Sequence, residues 1–241
     1  MRPLFILLML LFPHLLMAES LGDDLHIQKI AGNLYLHTSF KTLADYGRVA
    51  SNGLVVIDND DAYLIDTPWQ DKDTEKLIHW IEQSGYRLKA SIATHFHDDR
   101  SSGIGLLNQL GIKTYASALT NQLLAEQNRE RAKHSFNGNE FWLLADKIYL
   151  YYPGKGHTQD NLVVWITDNN LLFGGCLVRS MEADNMGNTA DASMSDWAAT
   201  VKNVMDKFPA AKVVIPGHGA AGTAEMLSHT LDILESVPVA M

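Results

Sequence analysis

Ala93-Thr94-His95-Phe96-His97-Asp98-Asp99-Arg100 follows a run, 88–93, that reads as a buried strand, so His95 and His97 stand where strand gives way to loop. In extended chain, residues two apart point to the same side, so the two imidazoles can converge on one ion. Asp99, just beyond, can turn its carboxylate toward a second site alongside. Three further glycine-rich stretches carry ligand-type residues beside strand-like runs: Gly156-His157-Thr158, Gly174-Gly175-Cys176 and Pro216-Gly217-His218-Gly219. These residues sort into two sets of three, His95, His97 and His157, then Asp99, Cys176 and His218. Imidazole, thiolate and carboxylate together suit zinc, and three protein ligands per ion leave a coordination position open, the mark of a catalytic site.

His95-Phe96-His97-Asp98-Asp99-Arg100, Gly156-His157-Thr158-Gln159-Asp160-Asn161, Gly174-Gly175-Cys176 and Gly217-His218-Gly219 resemble, in order and spacing, the signatures of the metallo-β-lactamases. The subclass is the one with a three-histidine site and an Asp-Cys-His site. The resemblance extends over the mature chain and takes in Ala62 to Trp69 and Met186-Gly187-Asn188. It implies two zinc ions per chain and hydrolysis of the β-lactam amide of penicillins, cephalosporins and carbapenems, with antibiotic resistance as the outcome.

The start of the chain has a different character. Residues 1–20 hold one basic residue, Arg2, then an apolar run 4–17 broken by Pro13 and His14, and a small residue at Ala18. That is the layout of a secretory signal peptide. The run falls short of the roughly 20 residues that span a bilayer, and no Cys follows the cleavage point to carry a lipid. Residues 1–18 are therefore expected to be removed on export to a bacterial periplasm, leaving 19–241 as one domain with no stable membrane association.

Removing 1–18 takes away Arg2 alone among the charged groups, so the formal charge of −9 becomes −10. An acidic balance with no basic cluster argues against nucleic acid as a partner. Apolar residues make up 46% of the chain, enough for a sizeable core. A lone Cys in an exported protein has no internal disulfide partner, and the Gly-Gly before Cys176 favours its use as a ligand.

Alternation and turn signals predict hairpins from 27–30 with 34–38 and from 53–57 with 62–66. The stretch 39–52 between them, with Leu43 and Tyr46 near its middle, reads as a polar connection. Helices are predicted over 71–84, 102–110, 119–131, 195–208 and 223–236, and later strands over 113–116, 148–152, 162–167, 171–176 and 212–215. Two halves that each run sheet first and helix later suggest two face-to-face sheets with helices outside. The family resemblance implies this four-layer αβ/βα sandwich more firmly than periodicity does.

The resemblance also implies roles. Leu43 and Tyr46 fall on a flap that closes over substrate. Arg179, three residues after Cys176, stands where many members carry a Lys that grips the substrate carboxylate, and Arg keeps the charge in a longer, forked form. Asn188 matches an Asn that hydrogen-bonds the developing oxyanion, although Ala190 replaces a Gly of the usual motif and would strain the turn at positive φ. Asp99 is a ligand to the ion that takes the charge of the leaving nitrogen. Asp66 is expected to orient the metal loop, and Trp69 to sit in the core. The rivals are a thioester or lactone hydrolase of the same fold and a non-enzymatic zinc-binding protein. Thioester hydrolases resembling glyoxalase II carry His where this chain has Arg100 and use no thiolate, and a binding protein would close its coordination with a fourth ligand. The chain is expected to act as a monomer on a small-molecule substrate.

Overall fold

In the computed structural model, which describes residues 18–236, the chain forms two sheets. The larger runs in sequence order: β1 (Glu19–Ser20), β2 (Leu25–Ala31), β3 (Leu34–Leu43), β4 (Gly47–Asp58), β5 (Asp61–Ile65), β6 (Arg87–Ile92), β7 (Lys113–Ser117) and β8 (His134–Phe136). β1 to β5 pair antiparallel, and β5 to β8 are parallel. The smaller sheet comprises β9 (Glu140–Leu144), β10 (Ile148–Tyr151), β11 (Val163–Ile166), β12 (Leu171–Gly175) and β13 (Val213–Pro216), in the order β13-β12-β11-β10-β9, with β12 and β13 parallel. The helices are α1 (Asp71–Gln83), α2 (Asp98–Ser101), α3 (Ile104–Gln109), α4 (Ala118–Glu126), α5 (Met194–Lys207) and α6 (Glu225–Ser236).

The period-two alternation of strands sorts the apolar residues into three layers of contact. Leu54 and Val56 of β4 face the second sheet, where they join Ile148, Leu150, Val164 and Phe173. Val55 and Ile57, the intervening residues, turn to the other side and pack against Leu77, Ile78 and Ile81 of α1. On the far face of the second sheet, Val163, Leu172 and Val214 meet Trp197 and Val201 of α5 and Met226 and Leu227 of α6. Because both faces of the central strands are covered, they read as continuous apolar runs. The layer order is helix, sheet, sheet, helix, the αβ/βα sandwich.

Local signals place the helices well. α1 begins with Asp71 and Asp73 in its first turn, favourable at the positive end of the helix dipole, and the chain leaves it through Gly85 at φ 86°. Several boundaries differ from the sequence reading. Residues 39–52 are not a loop: β3 and β4 stay paired up to Leu43 opposite Gly47, so this stretch is the upper half of one long hairpin. Its inward residues, Ser39, Ser51 and Asn52, are buried but polar, which hid the strand pattern. The helix read as 119–131 stops at Glu126, where Asn128 takes a left-handed φ of 55°, and β8 and β9 follow, two short strands absent from the sequence reading. The one read as 102–110 is α3, Ile104–Gln109, and the four-residue helix α2 before it was not read from the sequence. The segment 1–17 lies outside the described residues.

Candidate metal centre and substrate cleft

The ligand loops follow four strands and meet at one edge of the sandwich: His95, His97 and Asp99 come after β6, His157 after β10, Cys176 after β12 and His218 after β13. Asp66, at the end of β5, fixes the first of these loops. With φ at 60° it turns its carboxylate under residue 94, accepting from the Thr94 N–H at 2.7 Å and the Thr94 hydroxyl at 2.9 Å. Burial pushes its carboxyl up to about 7, against the pull of Arg100 and the Thr94 bonds. Asp66 thus orients the loop and is no ligand.

Nδ1 of His97 lies 3.2 Å from Nε2 of His95 and 3.2 Å from Nε2 of His157. Tetrahedral zinc with Zn–N near 2.05 Å holds its nitrogens about 3.3 Å apart, so this spacing fits a shared ion. Burial, followed by the neighbouring His97, holds His95 and His157 well below the ordinary imidazole range, so their ring nitrogens offer lone pairs. In the second cluster, Cys176 Sγ is 3.6 Å from Asp99 Oδ2 and 3.3 Å from His218 Nε2, and that nitrogen is 3.4 Å from Asp99 Oδ2. The corresponding tetrahedral separations are about 3.6, 3.5 and 3.4 Å. His218 donates from Nδ1 to the Ala50 carbonyl at 2.6 Å, which commits Nε2 to the cluster. One donor atom each from His95, Asp99 and Cys176 also lie within 4.8 Å of one another, so the two clusters adjoin. The donor set and the spacing both fit two zinc ions.

Beneath the second cluster lies Arg100, fully buried. Its Nη2 is 2.8 Å from Asp99 Oδ2, 3.0 Å from Cys176 Sγ and 3.0 Å from the Gly217 carbonyl. Its Nη1 reaches Asp66 at 3.3 Å and the Asn52 carbonyl. Burial alone would raise Asp99, but Arg100 and then His218 hold its carboxyl well below the usual carboxylate range. Burial pushes the Cys176 thiol up despite the same guanidinium, so a cation bound there displaces the thiol proton. Gly217 leaves no room for a side chain: a Cβ would come within 2.6 Å of both Arg100 Nη2 and Cys176 Sγ. Asn52 completes the join by donating from its amide to the Pro216 and Gly219 carbonyls at 3.0 and 2.8 Å, tying β4 to the His218 loop.

The clusters open on a cleft of about 460 Å³. Leu43, Tyr46, Trp69, Arg179 and Asn188 all line it, together with five of the six ligand-set residues that the sequence named, His97, His157, Asp99, Cys176 and His218. Trp69 is buried as expected of a core residue, yet one part of its ring forms cleft wall, with Lys41 over the ring at 5.5 Å. Arg179 Nε donates to the Asn185 carbonyl at 2.9 Å, and burial lowers the guanidinium from its ordinary range. Asn188 accepts the Ala190 N–H on Oδ1 at 3.1 Å, and Ala190 is not among the positive-φ residues, so the Cβ in place of the family Gly causes no strain. Two contributors were given no role in the sequence reading. Asp98 faces the cleft between Arg129 at 2.8 Å and Lys41 at 3.6 Å, and Asp191 accepts from His97 Nε2 at 2.8 Å. Asp98 lies within the first motif, but its partners, like that of Asp191, are distant in sequence, so both contacts are found only once distant loops meet.

Two adjoining three-ligand zinc clusters at the edge of an αβ/βα sandwich, open to a cleft, define a dinuclear zinc hydrolase. The chain belongs to the metallo-beta-lactamase superfamily, whose family model matches residues 46–218. It is 43% identical over 230 residues to a metallo-beta-lactamase type 2 of Pseudomonas aeruginosa, covering 95% of this chain and 92% of that one. It is 36% identical to a protein of the same name from Bacteroides fragilis, covering 97% and 96%. Among solved structures, TMB-1 and the metallo-beta-lactamase DIM-1 each superpose with a TM-score of 0.87, at 46% and 45% identity, over 89% of this chain and 98% of theirs.

The buried guanidinium gives a stability prediction. Arg100→Met keeps the length but leaves Asp99, Asp66 and Cys176 without their common partner, which should cost about 3–5 kcal/mol in urea unfolding with a chelator present. Saturating zinc should recover part of this, because the ion compensates Asp99 and Cys176. Equal stability of the two proteins in chelator would remove Arg100 from the centre of the site.

Proposed function

We propose that this chain is a periplasmic, monomeric zinc β-lactamase that opens the four-membered amide ring of penicillins, cephalosporins and carbapenems, conferring resistance to them. The observation that carries the reading is the pairing of a three-histidine cluster with an Asp99–Cys176–His218 cluster under a single cleft that also holds an arginine, Arg179. His95, His97 and His157 would hold one ion, and Asp99, Cys176 and His218 the other. Zinc, when bound, supplies Lewis acidity toward the amide carbonyl and a water that ionises near neutral pH.

The remaining work falls to side chains. Arg179 lines the cleft with Nε held by the Asn185 carbonyl, and its guanidinium is a fork suited to the carboxylate that β-lactams carry beside the ring nitrogen. Asn188 has its oxygen occupied by Ala190, so its amide N–H groups are free to donate to the carbonyl oxygen as charge develops there. Leu43 and Tyr46, the latter 58% exposed, offer apolar surface to the substrate side groups from the hairpin tip. Asp99 serves as ligand and not as proton donor, because Arg100 keeps its carboxyl ionised. The apolar segment ending near Ala18 supports export and cleavage there.

Replacing Cys176 tests the assignment. Cys176→Ser, nearly isosteric, should bind close to one zinc per chain by elemental analysis, stay folded by circular dichroism, and hydrolyse a chromogenic cephalosporin far more slowly. Two ions retained with near-normal turnover would take Cys176 out of the site. Arg179 has its own signature: Arg179→Lys should keep most activity, whereas Arg179→Ala should lose roughly 1.5–3 kcal/mol of transition-state binding, read as kcat/KM. Equal values for wild type and Arg179→Ala would return the residue to the surface. In an expressing bacterium, fractionation should place the mature chain in the periplasm with its N-terminus near residue 19, and an uncleaved chain in the cytoplasm would overturn that assignment.

A further inference from the structure

Residues 186–192 present Asn188 at the cleft, and little holds them there. Met186 is buried against the α5–α6 layer and Ala192 packs on it, which fixes the two ends. Between these ends the hydrogen bonds are local: Gly187 N–H to Asn185 Oδ1, Ala190 N–H to Asn188 Oδ1, and Ala192 N–H to Thr189 O. Among the described residues, one hydrogen bond leaves the segment for another part of the chain. It joins Asp191 Oδ2 to His97 Nε2 at 2.8 Å.

The chemistry of that bond is directional. His97 Nδ1 faces His95 and His157 at 3.2 Å each, so the opposite nitrogen is the one that carries the proton and donates it to Asp191. A carboxylate on the far nitrogen fixes the tautomer and the ring orientation of a metal-binding histidine and raises its basicity. The other face of the ring gives no polar anchor, since Phe96 packs edge-on against it at 4.5 Å between centroids.

We propose that Asp191 is a positioning residue that couples zinc affinity at the three-histidine site to the order of the 186–192 segment. This rests on the reading of His95, His97 and His157 as a zinc site. Because coupling between two equilibria is reciprocal, whatever the carboxylate contributes to holding the ion, the ion contributes to holding the segment and thus Asn188. The segment that meets the substrate is then placed by the metal and not by the fold alone. The carboxylate is about half exposed, which puts the effect at the low end of the range for partners of metal-bound histidines, about tenfold in affinity.

Two measurements on the full chain test this. Cobalt(II) titration separates the sites, since the thiolate charge-transfer band reports Cys176 alone. Asp191→Ala should weaken the site without that band about tenfold and leave the thiolate site unchanged, and Asp191→Asn, which keeps an acceptor oxygen, should recover part of the loss. Hydrogen exchange of 186–192 should slow on metal binding in wild type and respond far less in Asp191→Ala. Wild type that takes up no metal at the non-thiolate site would sink the zinc reading itself. Metal uptake with a segment indifferent to it, or unchanged affinity in Asp191→Ala, would overturn the coupling alone.

Discussion

The buried guanidinium of Arg100 is the interaction on which the site depends. A fully desolvated cation is costly unless its field is met by anions and acceptors at close range, and here Asp99, Asp66, Cys176 and two carbonyls meet it. Those partners come from β4, the loop after β5, the loop after β6, the loop after β12 and the loop after β13. Satisfying one cation therefore fixes five separate pieces of chain relative to one another. The order of cause runs from charge to geometry: the second cluster has ligand spacing because its acidic members share a counter-ion.

The sandwich makes that convergence possible. Parallel strands deliver their C-terminal ends to one edge, and the three apolar layers hold both sheets in register without any contribution from the ligand residues. Stability and chemistry are thus spatially separate, the first in the layers, the second at the rim. Asn52 and Gly217 are where the two regions join: the first tethers β4 to the His218 loop, and the second must lack a side chain for the loop to approach Cys176.

Much of this was legible in the sequence, for physical reasons that also explain what was not. His95, His97 and Asp99 are local neighbours at strand periodicity, and His157, Cys176 and His218 each sit in glycine-bearing turns, so ligand chemistry and spacing showed themselves without a structure. Strands with both faces covered carry strong apolar runs, and α1 carries its own start and stop signals. By contrast, the upper part of the β3–β4 hairpin buries Ser39, Ser51 and Asn52, whose polarity imitates a loop, and β8 and β9 are too short to show a period. Arg100 was read only as part of the motif and as a mark against the thioester hydrolases, because its burial comes from chain far away in sequence. Asp191 was silent for the same reason, its partner His97 being 94 positions earlier.

The long hairpin has one more consequence. Strand pairing continues to Leu43 opposite Gly47, leaving only three residues, 44–46, outside the ladder. Leu43 and Tyr46 are therefore carried on a ribbon, and a ribbon swings as a lever where a free loop would writhe. Ordering a disordered residue costs roughly 1–2 kcal/mol in backbone entropy, and a paired strand has already lost that freedom before any ligand arrives. Engagement of a molecule under the tip then restricts side-chain rotamers and one hinge coordinate, and the grip can vary in height above the metals to suit differently shaped guests without melting and refolding the arm that makes it.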